Sequence, residues 1–138
     1  MLKRLGWLAL ILLASYSIVS AGSGPDIHEG EWKITVSFDL PGLPMKMPPN
    51  TYTQCIRKDQ PVPKSEKPNQ TCEIKDVRTK GDTVTWAVDC TNRGGKMTGK
   101  GKITYKGDKM EGRMTMNMEG QGTDMISHYQ GVRIGDCR

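Results

Sequence analysis

The chain has 138 residues, of which 36% are hydrophobic and 25% are charged, and its formal net charge is +5. A chain of this length indicates a single globular domain with a modest core. The basic residues are dispersed and interleaved with acids, whereas nucleic-acid-binding surfaces carry clustered lysine and arginine. We therefore expect no nucleic-acid partner.

Residues 1–21 have the three parts of a secretory signal peptide. A positive start at Lys3 and Arg4 precedes an apolar run, and small residues follow up to Ala21. The alternative, an uncleaved membrane anchor, would need about 20 apolar residues, and serines interrupt this run. We expect cleavage after Ala21, no membrane span after cleavage, and a single periplasmic or secreted domain over residues 22–138.

Residues 30–40, GEWKITVSFDL, alternate apolar and polar side chains and predict the first strand. A proline-rich loop follows over residues 43–50 and carries three large apolar side chains, Leu43, Met45 and Met47. Because the loop joins two strands, we expect these side chains at one end of the β domain. Two interpretations remain open there: contact with a ligand or partner protein, or folding back to fill the core.

Residues 51–57 predict a second strand, and residues 58–71 predict a polar connection that is irregular and mobile. Gly81-Asp82 and Gly107-Asp108 each separate two alternating runs, which is typical of hairpins with two-residue type II′ turns. A last strand is predicted over residues 123–132. No helical periodicity follows the signal peptide. The pattern predicts an all-β fold, an antiparallel meander of about six to eight strands that forms a small barrel or sandwich.

The methionine-rich run MEGRMTMNM belongs to the second of these hairpins. A two-residue turn sets Met114 opposite Gly101 and Met116 opposite Gly99, all on one face of the sheet. Methionine is flexible enough to fill the space that a neighbouring glycine leaves. We therefore predict that Met114 and Met116 are core residues.

The alternative for the methionines is a Cu(I) site, because Cu(I) prefers soft thioether ligands. Such a site needs several converging sulfurs, often with a histidine, and the chain has only His28 and His128. Met45 and Met47 on the loop are better copper candidates than the strand methionines. The copper interpretation remains the weaker one, and we expect no metal or other cofactor.

The four cysteines predict two disulfides, because an even number in a short exported chain is typical of a disulfide framework. No C-x-x-C spacing indicates a zinc site or a redox pair. Three pairings are possible in principle. A one-residue bulge near Lys75-Asp76 would set Cys72 opposite Cys90, at a Cα separation that a disulfide tolerates. We therefore predict Cys72–Cys90, which leaves Cys55 to pair with Cys137.

Sequence landmarks resembling a known family are spread over the whole domain. They are Gly30-Glu31-Trp32, Gln54-Cys55, Cys72, Trp86 with Cys90, YKGDKMEG at residues 105–112, and the terminal G-x-x-x-G-x-C from Gly131 to Cys137. In these landmarks the chain resembles the bacterial exported family known as domain of unknown function 3617. The resemblance implies export and a small β domain, and it implies no catalytic residues.

No enzyme is predicted, because the paired cysteines and two distant histidines form no visible nucleophile–base arrangement, and the glycine pairs lack the strand-to-helix context of a phosphate loop. We expect an exported, non-enzymatic binding module for a small apolar or amphipathic ligand. The alternative is a structural or protein-interaction domain with a filled core, whose partner would be another envelope protein. The exposed apolar residues of the loop favour contact with either kind of partner.

Overall fold

A computed structural model of the protein describes residues 24–64 and 67–138, and the predicted signal peptide lies outside them. The described residues form seven antiparallel strands: β1 (Gly30–Asp39), β2 (Asn50–Ile56), β3 (Thr71–Lys80), β4 (Thr83–Asn92), β5 (Gly95–Lys106), β6 (Lys109–Met118) and β7 (Asp124–Gly135). They make one sheet in the order β2-β1-β7-β6-β5-β4-β3, which curls into a half-barrel. The all-β, disulfide-linked prediction is therefore confirmed.

Alternation of side chains gives the sheet one apolar and one polar face. In β1, Trp32, Ile34 and Val36 are buried on the concave face, while Lys33 points to solvent. The tight turns fit the predicted type II′ geometry, because Gly81 and Gly107 have φ angles of 58° and 63° and the aspartate after each does not have positive φ. Glycine is suited to this first turn position because it has no Cβ to clash.

The two predicted hairpin registers are present. Strand β5 pairs with β6 in the predicted alignment, with Gly101 opposite Met114 and Gly99 opposite Met116. Strand β3 pairs with β4 so that Cys72 lies opposite Cys90. The predicted bulge falls between Lys75 and Arg78.

The concave face is organised in cross-strand rows, because directly opposed residues share a face. One row runs Tyr52, Ile34, Gly131, Met110, Tyr105, and the next runs Val36, Tyr129, Gly112, Ile103, Val84. A third runs Phe38, Ser127, Met114, Gly101, Trp86, and a fourth runs Met125, Met116, Gly99, Val88, Ile74. Each row contains one glycine, and a neighbouring side chain occupies the space above it.

Gly99 and Gly101 show how these spaces are filled. A Cβ at Gly99 would collide with the Met116 sulfur, as the predicted packing requires. A Cβ at Gly101 would instead collide with the indole of Trp86. The prediction that Met114 fills the space at Gly101 is therefore wrong: Trp86 is larger and reaches it from β4. Met114 is only partly buried and packs beside the core.

Residues 57–70 connect β2 to β3, which lie at opposite edges of the sheet. Its described parts, residues 57–64 and 67–70, are irregular, as expected, but they are not simply solvated polar segments. Pro61, Val62 and Pro63 are buried, and the Tyr105 hydroxyl donates a hydrogen bond to the Pro61 carbonyl. The amide of Lys64 donates to the Gln54 side chain at 2.9 Å. This segment therefore covers part of the concave face and completes the core.

Both edge strands are joined covalently to their surroundings. Cys72 in β3 bonds to Cys90 in β4, with Cα atoms 4.0 Å apart. Cys55 in β2 bonds to Cys137 beyond β7, with Cα atoms 5.4 Å apart. Both predicted pairs are thus present. A register shift in β7, which sets Gly135 instead of Ile134 opposite Glu31, brings the C-terminal segment to the face on which Cys55 lies.

Candidate functional site

The two ends of the half-barrel differ in how completely the concave face is covered. At one end, Trp32 packs edge-on against Tyr105 with ring centroids 5.8 Å apart, and both side chains are fully buried. The opposite end, which we call the loop end, carries the β1–β2 loop, the β4–β5 turn, the β6–β7 turn and residues 67–70. The rows nearest the loop end contain side chains that remain partly exposed.

We call these partly exposed side chains the apolar strip: Phe38, Ile74, Met114 and Met125. They lie on the concave face in the third and fourth rows. All four pack against the buried core on one side and remain partly open to solvent on the other. An apolar surface of this kind at the mouth of a curled sheet is a common place for small-molecule binding.

Two hydroxyl groups within the concave face are buried without a partner among the described residues, Ser127 Oγ and Tyr52 Oη. Ser127 is only 1% exposed and lies directly between Phe38 and Met114 in its row. An unpaired buried hydroxyl costs free energy. Ligand sites typically combine an apolar lining with a few such polar groups.

Three tyrosine hydroxyls from different strands lie inside the half-barrel. Burial raises the pKa of Tyr129 to about 12. Burial, with a smaller effect of Tyr129, raises the pKa of Tyr52 well above its usual range. Burial and the nearby Tyr52 do the same to the pKa of Tyr105. All three side chains are therefore neutral near pH 7.

A cavity of about 390 Å³ opens at the loop end, next to the apolar strip. Met97 and Met118 form part of its wall, and Lys67, Arg93 and Lys96 supply cationic groups. Met118 lies opposite Met97, one row beyond Met116 and Met125. The cavity and the apolar strip are thus adjacent along the sheet.

The predicted contact residues of the β1–β2 loop are at this same end. Leu43, Met45 and Met47 are 59%, 76% and 47% exposed. The interpretation in which they fold back to fill the core is therefore wrong, and the buried segment at Pro61–Pro63 fills that role instead. The loop presents apolar side chains to solvent beside the cavity end of the half-barrel.

The convex face has a different character. A shallow hollow of about 600 Å³ there is lined by Lys33, Lys106, Lys109 and Glu111 among other mainly polar residues. His128 has its Nε2 3.0 Å from Asp39 Oδ2 and lies on this outer side, since its neighbour Ser127 faces inward. This hollow lies on the face of the sheet opposite to the apolar strip, and no residue of the apolar strip lines it.

Nothing in the described part of the chain forms a metal site of the usual kind, since no three His, Cys, Asp or Glu side chains there are grouped to hold an ion. His28 lies instead beside Asp108, with Nδ1 2.8 Å from Oδ1. None of the described residues belongs to a helix of the length and hydropathy that crossing a membrane requires.

Sequence reasoning missed Phe38, Ser127 and Lys67 as site residues. Phe38 was recognisable as an inward-facing strand residue, but its neighbours depend on the β1–β7 register. Lys67 comes from the irregular connection, and its Nζ lies 5.8 Å from the centroid of the Phe38 ring. Neither contact has a local sequence pattern that would predict it.

Comparison with known proteins gives a family but no activity. No curated protein and no solved structure matches this chain significantly. A family model described as a protein of unknown function, DUF3617, matches residues 27–137, which include all seven strands and both disulfides. The resemblance inferred from the sequence landmarks is confirmed, and the chain belongs to the DUF3617 family.

Proposed function

We propose that this domain is a non-enzymatic binding module of the bacterial envelope that takes up a small apolar or amphipathic ligand at the loop end. The observation that carries the proposal is the apolar strip, which lies on the concave face, partly exposed, beside a cavity. Exposed apolar side chains that share one surface commonly mark an interaction site. The cavity volume of about 390 Å³ falls within the range of small-ligand sites.

The β1–β2 loop adds exposed apolar side chains to this site. Its prolines restrict the conformations that the loop backbone can adopt. These prolines are Pro41, Pro44, Pro48 and Pro49. A stiffened loop loses less conformational entropy when a ligand orders it. Leu43 and Met45 are accordingly proposed to close over a ligand held at the loop end.

The periplasmic or secreted location is part of the proposal. The described residues contain no free cysteine, and two disulfides are compatible with an oxidising compartment. The predicted signal peptide over residues 1–21 supports the same location. Recovery of the protein from a periplasmic extract, with residue 22 as its N-terminus by mass spectrometry, tests both points.

The binding site is tested with the double substitution Leu43→Ser with Met45→Ser. Phenylnaphthylamine, an uncharged apolar fluorophore, serves as the probe, and native mass spectrometry of the purified protein records any molecule that remains bound. We expect the double variant to bind the probe at least severalfold more weakly than the wild type. Its stability should be nearly unchanged, because exposed side chains contribute within about 0.5 kcal/mol each.

The matched control is Val132→Ser with Ile134→Ser. These apolar residues are 44% and 53% exposed but lie on β7 away from the loop end. The control variant should bind the probe as the wild type does. Equal loss of binding in both double variants, or no probe binding by the wild type, would remove the support for a site at the loop end.

A second candidate, a protein-interaction domain, is favoured by the edge strand β2. Its sequence, NTYTQCI, has no charged residue and no proline, whereas the other edge strand, β3, has a bulge and charged side chains. Such features protect an edge from pairing. Within residues 24–64 and 67–138, β2 pairs only with β1. If the protein self-associates through β2, it should sediment as a dimer. The double substitution Thr51→Lys with Thr53→Lys should then abolish the dimer.

A further inference from the structure

The charge at the loop end points to the chemical class of the ligand, if the proposed binding function holds. Three cations, Lys67, Arg93 and Lys96, line the cavity together with one acid, Glu119. None of the ion pairs found among residues 24–64 and 67–138 involves these cations. Glu119 and the other described carboxylates are therefore not within ion-pair distance of these cations.

The cationic and apolar parts of the site are in contact. Lys67 lines the cavity, and its Nζ lies 5.8 Å from the ring centroid of Phe38 in the apolar strip, within the range of a cation–π interaction. Met97 and Met118 lie in the same cavity wall as Arg93 and Lys96. The site thus presents positive charge at its mouth and apolar side chains further in.

The apolar part is long enough for an alkyl chain. Met118 at the cavity and Met114 in the third row are both on β6, and four residues of a strand span about 13 Å. Between them lies Met116, with Met125 opposite. A ligand tail lying along this line would contact the exposed parts of Met118, Met125 and Met114, and would pass over Met116, which is itself buried.

We infer that the ligand is an anionic single-chain amphiphile, whose head is held by Lys67, Arg93 and Lys96 at the mouth and whose alkyl tail lies along the apolar strip. The orientation follows from desolvation. A carboxylate beside Ser127 would be buried, with one hydroxyl and at most one cation, the Lys67 that lies over the neighbouring Phe38, and its burial would cost free energy. At the mouth the same carboxylate stays near solvent and near three cations.

Three amphiphiles with the same tail and different heads test the inference: dodecanoate, dodecylamine and dodecyl maltoside, each titrated calorimetrically below its micelle concentration. We expect dodecanoate to bind at least tenfold more tightly than the other two, with an affinity that falls as salt is added. Equal affinity for all three would overturn the inference while leaving the binding function intact. Binding of none of them, together with failure of the uncharged fluorophore, would overturn both.

Two charge-removing variants locate the head. Lys67→Gln with Lys96→Gln should weaken dodecanoate binding by about fivefold, since each exposed charge contact contributes modestly, and should leave dodecyl maltoside binding unchanged. The matched control is Lys100→Gln with Lys102→Gln, which removes two exposed β5 lysines from the convex face. An equal effect of both pairs on dodecanoate would show only a net-charge effect and would contradict the assigned head site.

The orientation of the ligand is tested with Ser127→Ala. The hydroxyl has no partner among the described residues, so its removal should leave folding intact. With the tail beside Ser127, dodecanoate affinity should be unchanged or improved. A loss of tenfold or more would place the head inside the half-barrel and contradict the proposed orientation. Binding to phosphatidylglycerol vesicles without binding of monomeric dodecanoate would assign the surface to membranes instead.

Discussion

At the scale of single residues, glycines and methionines decide how the concave face packs. Every one of the four central rows has a glycine, and larger neighbours occupy the space above it: Met110 over Gly131, Ile103 over Gly112, Trp86 over Gly101 and Met116 over Gly99. A side chain at any of these glycines would collide with its neighbour. Small residues at these positions let the sheet curl tightly without overpacking its inner face.

Substitution of Met116 tests this packing. Met116 is 3% exposed and fills the space at Gly99, so Met116→Ala should lower the free energy of unfolding by about 2 to 5 kcal/mol. Met118→Ala is the control, because that side chain is 38% exposed and its removal should cost far less. Denaturant midpoints give both values. Similar losses in the two variants would contradict the packing described for Met116.

At the scale of elements, the edges and the connection between them determine stability. The connection over residues 57–70 leaves β2, packs Val62 into the core and reaches β3 at the far edge of the sheet. Each edge strand is held by its own disulfide. Edge strands have a neighbour on one side only, so a covalent link limits their separation from the sheet.

Removal of the two disulfides should therefore lower the stability of the protein by different amounts. The Cys55–Cys137 bond spans 82 residues of sequence and the Cys72–Cys90 bond spans 18. The chain-entropy model gives these loops contributions of about 4.5 and about 3 kcal/mol. Cys55→Ala with Cys137→Ala should lower the thermal midpoint more than Cys72→Ala with Cys90→Ala does.

Peptide mapping without reduction provides the control for the disulfide variants. It should recover Cys72 linked to Cys90 and Cys55 linked to Cys137. Recovery of a Cys55–Cys72 peptide would contradict the pairing on which the comparison depends. A larger loss for the Cys72–Cys90 variant would show that local constraint of the β3 edge outweighs loop entropy.

At the scale of the whole molecule, the half-barrel buries its tyrosines from three different strands. Tyr52 is on β2, Tyr105 on β5 and Tyr129 on β7, and burial raises the pKa of each. Tyr105 also holds the connection through the Pro61 carbonyl. Ionisation of these hydroxyl groups should therefore destabilise the folded sheet as a whole.

This burial predicts unfolding in alkali. A tyrosine hydroxyl in the unfolded chain has a pKa near 10, whereas burial raises the pKa of Tyr129 to about 12. Between these values the folded state binds more protons than the unfolded state, so stability is fully present below about pH 10 and falls as the pH rises further. Tyrosinate absorbance and circular dichroism, recorded together on protein that begins at Gly22, should change in one transition.

Separate transitions would contradict that prediction. If tyrosinate absorbance rises near pH 10 while the circular dichroism stays native, at least one of the three hydroxyls is accessible in the folded state. Tyr105→Phe distinguishes burial from hydrogen bonding. It should shift the alkaline transition upward because one ionisable buried group is removed, while lowering stability at pH 7 through loss of the bond to Pro61.

Much of the sheet could be predicted from the sequence, because its determinants are local. Period-two alternation located the strands to within a few residues, and the Gly-Asp turns set the registers of β3–β4 and β5–β6. The register of the first hairpin then gave the cysteine pairing. In each case residues close in sequence specify the contact, so turn geometry and side-chain period are sufficient.

The candidate site was only partly predictable. The apolar residues of the loop were recognised from the sequence. Whether they are exposed or buried depended on which other segment fills the half-barrel. Strand β7 alternates Met125, Ser127 and Tyr129 with Ile126, His128 and Gln130, and neither set is clearly apolar. Its inward face is therefore set by pairing with β1 and β6, not by its own pattern.

The sequence by itself determined the fold class, the strands, the disulfides and the apolar character of the loop, since each follows from local pattern and turn chemistry. Only the tertiary structure decided that Pro61–Pro63 fill the core, that Ser127 lies between Phe38 and Met114, and that Lys67 lies over Phe38. These contacts join segments far apart in the chain. Whether these contacts form depends on the curl of the whole sheet and on which segments fill its interior. No local sequence pattern encodes either.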